Sequence, residues 1–248
     1  MEISPAILPI IAAAGIAAGF VNVVAGGGSL ITVPVMIFLG MPPAMANGTN
    51  RIALLSQSGF AIAGFRRKGI FPLRTGIILG GISSVGAVIG STIAIEISGE
   101  WFTRILSGVM ILVLVLTLYS PRSHTGSGES LPWRLLLPAF FLIGIYGGFI
   151  QAGVGLLIMG AFSRLSGSSL IHTNAVKVII ILIYSVPALW VFAINGQIAW
   201  AAGAVLAAAQ AMGAWLGAHF SVSKGDRWIK VVLACAIVVM AVRLFFFY

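Results

Sequence analysis

Two cations stand where charge is expensive. Arg51 lies seven residues into the apolar stretch 44–65 and Lys177 eight into the stretch 169–194. At helical rise that is roughly 10–12 Å from the end of each segment. An ionisable group at such depth costs several kcal/mol unless it is paired or lines a polar cavity, so both are candidate ligands for a charged partner. The bland alternative is that each side chain snorkels to an interface. No Asp or Glu accompanies them, since Glu96 sits at a segment end. Two deep cations without carboxylates point to an anion site, and argue against a cation carrier or a carboxylate-based proton antiporter.

Two glycine runs could complete such a site. Ala25-Gly26-Gly27-Gly28-Ser29 and Ala152-Gly153-Val154-Gly155 precede the short apolar stretches 28–40 and 154–165. A half-helix starting at a glycine run presents unpaired N–H groups and partial positive charge, which suit an anionic oxygen. Gly27, Gly28 and Ser29 in one run, and Gly153 and Gly155 in the other, are the candidate backbone donors. The alternative is close helix packing, the reading that fits Gly76-x-x-x-Gly80, Gly86-x-x-x-Gly90 and Gly213-x-x-x-Gly217. The runs are not P-loops, because no Gly-Lys-Ser/Thr follows. Asn47, Asn50, Gln151 and Asn174 are the amides expected to select oxygens. Asn22, Thr49, Gln57 and Thr173 lie at similar depth, and any of these polar residues could instead join helices by hydrogen bonds. His172 and His219 read as interfacial residues rather than proton relays.

The elements that must position these residues are membrane helices. Of 248 residues 60% are hydrophobic and 8% charged, with mean hydropathy +1.12, more apolar surface than a water-soluble domain can use. Apolar segments fall at about 5–24, 28–40, 44–65, 70–95, 101–120, 132–150, 154–165, 169–194, 197–222 and 229–247. Soluble-enzyme and nucleic-acid-binding readings are excluded, and the net charge of +9 follows the positive-inside bias of short loops. The single cysteine, Cys235, rules out an intrachain disulfide, no Cys/His cluster has metal-ligand spacing, and no cofactor is expected. No basic region precedes the first apolar stretch, which therefore reads as mature structure rather than a signal peptide. The stretches 28–40 and 154–165 reach only about 18–20 Å, so each reads as a half-helix or re-entrant arm.

Sliding the sequence on itself by 127 aligns residues 25 to 101 with 152 to 228 without gaps, with about a quarter of positions identical. Asn47 falls on Asn174, Phe65 and Gly69 on Phe192 and Gly196, Gly76 on Gly203, Trp101 on Trp228, and Asn50 on Lys177. Loop charges differ between copies: basic 66–69 aligns with neutral 193–196, and acidic 96–100 with basic 223–227. Opposite loop charge predicts opposite topology, which requires an odd number of crossings per copy. A hairpin over 5–40 and another over 132–166, each followed by three full helices, meets that requirement. The Arg66, Arg67, Lys68, Arg74 loop then faces the cytoplasm, as does the turn with Lys224, Arg227 and Lys230, while 96–104 and 194–199 face outward.

The segments Gly19-Phe-Val-Asn-Val-Val-Ala-Gly-Gly-Gly-Ser-Leu-Ile-Thr-Val-Pro34, Ala46-Asn-Gly-Thr-Asn-Arg51 and Phe65-Arg-Arg-Lys-Gly69 resemble the sulfite exporter TauE/SafE family of membrane permeases. The second half is similar through Gly147-Gly-Phe-Ile-Gln-Ala-Gly-Val-Gly155, Thr173-Asn-Ala-Val-Lys177 and Gly196-Gln-Ile-Ala-Trp200. The resemblance covers nearly the whole chain. It implies export or uptake of small sulfur-containing anions across the bacterial inner membrane. The second half departs by Gly-Val-Gly in place of Gly-Gly-Gly and by lacking a counterpart of Pro34.

The sequence thus predicts an all-α, multi-pass inner-membrane transporter. A first transmembrane repeat over 1–120 and a second over 132–248 are joined by a cytoplasmic linker, 121–131. The two repeats are inverted and their first helices are broken or re-entrant. Its function is expected to be alternating-access export of sulfite or a sulfonate held at the midplane, with Arg51 and Lys177 neutralising the anion together. Uptake of another small organic anion, or a passive role in a larger transport complex, are the alternative readings. The partners are the anion and the bilayer. Small-xxx-small faces permit a homodimer without requiring one.

Overall fold

The computed structural model describes residues 5–25, 27–118 and 133–220. After a 3₁₀ turn, Pro5–Ile7, these residues form α1 (Leu8–Ala25), α2 (Ser29–Phe38), α3 (Pro43–Arg67), α4 (Leu73–Glu96), α5 (Gly99–Leu118), α6 (Trp133–Phe149), α7 (Val154–Ser166), α8 (Leu170–Ile194) and α9 (Trp200–Phe220). No strand occurs among the described residues. The linker 121–131, the last expected segment 229–247, Cys235 and the loop cations Lys224, Arg227 and Lys230 lie outside them.

Helix ends follow from local chemistry. Pro43 opens α3 at a position whose N–H has no intrahelical partner. α2, α3, α7 and α8 are each followed by a glycine at positive φ, Gly40, Gly69, Gly167 and Gly196, the left-handed conformation that ends helices. Gly40 and Gly167 are one repeat apart, as are Gly69 and Gly196. The turn geometry repeats as well: Ile70 N donates to Phe65 O at 3.0 Å and Gln197 N to Phe192 O at 2.8 Å.

The surface is inverted relative to a soluble domain. Phe60, Leu142, Trp190 and Trp215 are more than 60% exposed, whereas the largest fully buried side chain is that of Arg51. Burial of apolar groups cannot drive a fold that exposes them to water, so this exterior suits hydrocarbon. Two described helices, Leu73–Glu96 and Ile171–Ile194, are long and apolar enough to cross a bilayer, and several shorter apolar helices accompany them.

Small residues decide which helices touch. A Cβ on Gly19 would lie 2.2 Å from Gln210 O, and one on Gly148 2.2 Å from Ala87 O, so α1 packs backbone-close on α9 and α6 on α4. Gly76 and Gly203 have the same relation to an isoleucine one repeat apart: their Cβ atoms would come within 2.4 Å of Ile179 and Ile52. Contacts advance in step along α4 and α8, where Gly76 meets Ile179 and Gly80 meets Ile183, so these helices run parallel. Two apolar clusters result. One combines α4 with α6, α7 and α8, and the other combines α9 with α1, α2, α3 and α5, together with Ala94 of α4, Phe192 of α8 and the tip residues Ile150 and Ala152.

α6 and α7 form a hairpin. Gly147 lies against Val154 at its tip, and the rings of Phe140 and Phe162 meet edge to face farther along, with centroids 6.4 Å apart. The tip, 150–153, is unwound: Gln151 at φ +66° is the one non-glycine residue with positive φ among the described residues, and Gly153 follows at φ +73°.

Candidate functional site

Polar side chains inside the bundle collect on α3 and α8 and on the segments that face them. On α3, Asn47, Asn50 and Arg51 are all fully buried. Arg51 reaches across to the end of α6. One terminal nitrogen donates to Gly147 O at 3.0 Å and also to Gly148 O, and the other donates to Gln151 Oε1 at 3.3 Å. Its guanidinium carbon sits 4.9 Å from the centre of the Phe192 ring. Asn47 Nδ2 donates to Phe149 O at 2.7 Å. Three successive carbonyls that α6 leaves open at its C-terminus are thus capped from α3. The negative pole of that helix meets a positive charge there.

Gln151 turns its carbonyl oxygen to two donors, Arg51 and the Tyr184 hydroxyl, the latter at 3.1 Å. On the first hairpin, Asn22 Nδ2 donates to Gln57 Oε1 at 2.7 Å, and Asn22 Oδ1 accepts from Gly28 N at 3.4 Å. A Cβ on Gly28 would fall 2.5 Å from Ala18 O, so this glycine serves close packing of the hairpin whatever else it does. Gly27 is buried and Ser29 begins α2. Gly153 precedes α7 and accepts from Leu156 N at 3.0 Å, and Gly155 lies in the first turn of that helix. Thr49 Oγ1 accepts from Ala199 N at 2.9 Å, which ties α3 to the start of α9.

Lys177 has a different setting. It is 7% exposed, and its ammonium donates to the thioether of Met159 on α7 at 3.8 Å. A thioether is a weak acceptor. One turn earlier on the same face of α8, Thr173 is fully buried and its hydroxyl has no partner among the described residues. Asn174 Oδ1 likewise has none. Further orphaned buried atoms are Asn47 Oδ1, Asn50 Nδ2, Arg51 Nε and Ser185 Oγ. His172 lies in the first turn of α8, where its N–H is capped by the Ser169 hydroxyl at 3.3 Å, and the His219 side chain lies outside the described residues.

The structure therefore divides the expected residues. Arg51, Asn47 and Gln151 meet at the end of α6. Lys177 and Asn174 lie elsewhere on α8, and Gly27, Gly28 and Ser29 lie at the other hairpin. No contact joins the two cations: on α8 Arg51 lies against the Phe192 ring and shares the Gln151 amide oxygen with Tyr184, fifteen and seven residues beyond Lys177, roughly 10–22 Å of helical rise. Depth from the helix start, the only quantity the sequence supplied, was similar for both. α3 and α8 pack with opposite ends together, as Gly48 against Gln197 shows, so equal depths fall at different levels.

Sequence reasoning missed Thr32, Met159, Tyr184 and Phe192. The repeat held a signal for three of them. Phe192 falls on Phe65, and Thr32 and Met159 fall on each other, each touching the residue 18 positions later: Thr32 Oγ1 donates to Asn50 Oδ1 at 2.7 Å, where the second copy has Met159 beside Lys177. Tyr184 falls on Gln57 and carried no such sign. Among the described residues no group of His, Cys, Asp and Glu is placed to hold a metal ion. The acids among them are Glu96, at the end of α4, and Glu100, which pairs with Arg104 at 2.6 Å on the surface.

The chain resembles several curated proteins over most of its length. It is 30% identical to the "probable membrane transporter protein ORF9" of a Sinorhizobium species, across 92% of this chain and 88% of that one. It is 28% identical to a "probable membrane transporter protein" of Haemophilus influenzae, across 98% and 96%, and 27% identical to YfcA of Escherichia coli K12, across 98% and 91%. No solved structure matches the chain. Residues 11–244 match the family described as sulfite exporter TauE/SafE, and with nearly the whole chain covered, the protein belongs to that family.

Proposed function

We propose that the protein is a multi-pass inner-membrane permease that carries a small sulfur-containing oxyanion, sulfite or an organosulfonate, outward by alternating access. The observation that carries this reading is Lys177: a buried ammonium faced by a thioether, in a bundle whose described acids lie only at the α4–α5 end. A buried charge without a counter-charge is costly, and a mobile anion supplies the missing partner. Unpartnered Thr173, Asn174 and Asn50 atoms add polar groups that a desolvated oxyanion can use. The candidate set is Arg51, Lys177, Gly27, Gly28, Ser29, Asn47, Asn50, Gln151, Gly153, Gly155 and Asn174, with Arg51 acting from the hairpin end that it holds.

The architecture we infer is two inverted repeats, 1–120 and 132–248, joined by the cytoplasmic linker 121–131. Their hairpins 5–40 and 132–166 enter from opposite sides. The repeated helix-ending turns, the paired Gly76–Ile179 and Gly203–Ile52 contacts and the α6–α7 hairpin support it. Outward movement of an anion from an inside-negative cell gains about 2.3 kcal/mol per charge per 100 mV, so export needs no coupling ion.

The test is sulfite efflux from proteoliposomes holding the full chain in controlled orientation, beside Lys177→Ala. Efflux by the wild type and its loss in a folded Lys177→Ala variant is the expected result. Equal efflux by both removes Lys177 from the site. Absence of flux for sulfite and for a panel of sulfonates overturns the reading.

A further inference from the structure

We propose that the site takes a singly charged anion, held at Lys177 between α7 and α8 with the Thr173 hydroxyl and the Met159 thioether beside it. This rests on the oxyanion-permease reading and adds a charge selectivity to it. The argument is a balance of charge over the two buried cations. The Arg51 guanidinium spends its terminal N–H groups on Gly147 O, Gly148 O and Gln151 Oε1 and lies on the Phe192 ring. Those carbonyls close α6, whose C-terminus carries roughly half a negative charge from its aligned peptides. Arg51 is thus met by the protein itself.

Lys177 is not. Met159 Sδ at 3.8 Å brings no charge and little hydrogen-bonding strength. Thr173, four residues earlier, and Asn174, three earlier, share its face of α8. Both have a buried oxygen without a partner. A hydroxyl donates as readily as it accepts, and rotating the Asn174 amide presents its N–H₂ group instead. One ammonium and two neutral donors complete one negative charge. A second negative charge would be desolvated with no free buried cation among the described residues to oppose it, because Arg51 is already engaged at the end of α6. At the equivalent place in the first half, Asn50 and Thr32 bond to each other, so no mirror-image ammonium is available there.

Methanesulfonate and sulfate test this cleanly, being tetrahedral anions of similar size with one and two fixed charges. Each is titrated as an inhibitor of sulfite flux through the full-length protein in proteoliposomes. The expected result is half-inhibition by methanesulfonate at a concentration at least tenfold below that for sulfate, a preference kept by Lys177→Arg. In Lys177→Gln, methanesulfonate no longer raises the thermal midpoint of the detergent-solubilised protein. Sulfate inhibiting as well as or better than methanesulfonate overturns the one-charge site while leaving anion transport standing. Methanesulfonate still stabilising Lys177→Gln overturns the assignment to Lys177. Absence of any anion flux in the wild type removes the permease reading, and this inference with it.

Discussion

Arg51 and Lys177 are both cations inside an apolar bundle, and they are held in opposite ways. Arg51 is surrounded by acceptors: two carbonyls at the end of α6, the Gln151 amide and the face of Phe192. Lys177 has a sulfur atom. In the first arrangement the protein supplies acceptors to the terminal nitrogens, with Nε left over, and it reads as a tie from α3 to the hairpin tip. The second leaves the charge uncompensated among the described residues, the setting in which we propose that an anion completes it. A cation's depth in the membrane therefore says little about its role, and the acceptors within reach say a great deal.

Substituting both cations by the same apolar residue gives the sharpest form of this contrast. Arg51→Met leaves Gly147 O, Gly148 O and Gln151 Oε1 without their donor, and unpaired buried acceptors are the costly outcome. We expect a loss of about 3–5 kcal/mol, read by denaturant titration in mixed micelles. Lys177→Met removes a buried charge that lacks a strong partner and fills the space with a side chain of similar length. We expect stability to hold or to rise by about 1–3 kcal/mol, while sulfite efflux disappears. Destabilisation of equal size by both would erase the distinction between a tie and a site.

Glycines extend the comparison from the site to the helices that carry it. Gly148→Ala drives a methyl group toward Ala87 O, which is backbone and cannot move aside. We expect a cost of about 1–3 kcal/mol. Gly81→Ala meets nothing within 4 Å and should be neutral or slightly stabilising, since alanine is the better helix former. Thermal unfolding of the pair in detergent checks this, and equal midpoints would mean that the α4–α6 contact is looser than described.

Much of this architecture was legible in the sequence, and the limit of legibility has a physical cause. Hydropathy placed the nine described helices to within about three residues, because apolar length and Gly/Pro breaks are local properties. The repeat paired Phe192 with Phe65 without telling that the ring would lie against Arg51. What stayed hidden was partnership. Arg51 and Lys177 looked alike by residue type and depth, and nothing local told that α3 would bring Arg51 to the open carbonyls of α6 a hundred residues later. Gly28 looked like an anion donor, and the structure adds a packing reason for it that depends on how closely α1 and α2 approach. The function of a buried charge is set by the groups that other segments bring to it, and backbone carbonyls leave no mark in a sequence.

The smallest effect lies at the pair that the two copies share. Thr32 and Met159 occupy equivalent positions, facing Asn50 and Lys177. Thr32→Val keeps the shape and removes the donor to Asn50 Oδ1, so the Asn50 side chain, whose Nδ2 already lacks a partner, loses the bond at its other end. A buried neutral hydrogen bond contributes about 1 kcal/mol, and that is the expected loss. Adding Asn50→Leu should recover part of it, because replacing both partners leaves neither desolvated alone. Met159→Leu gives up only a weak sulfur contact at nearly constant volume, so its stability should stay within about 1 kcal/mol of the wild type. What it should change is the flux of sulfite past Lys177. A stability loss from Met159→Leu matching that of Thr32→Val would mean that the second pair bears on stability as much as the first does, and the difference between the halves would then rest on Arg51 alone.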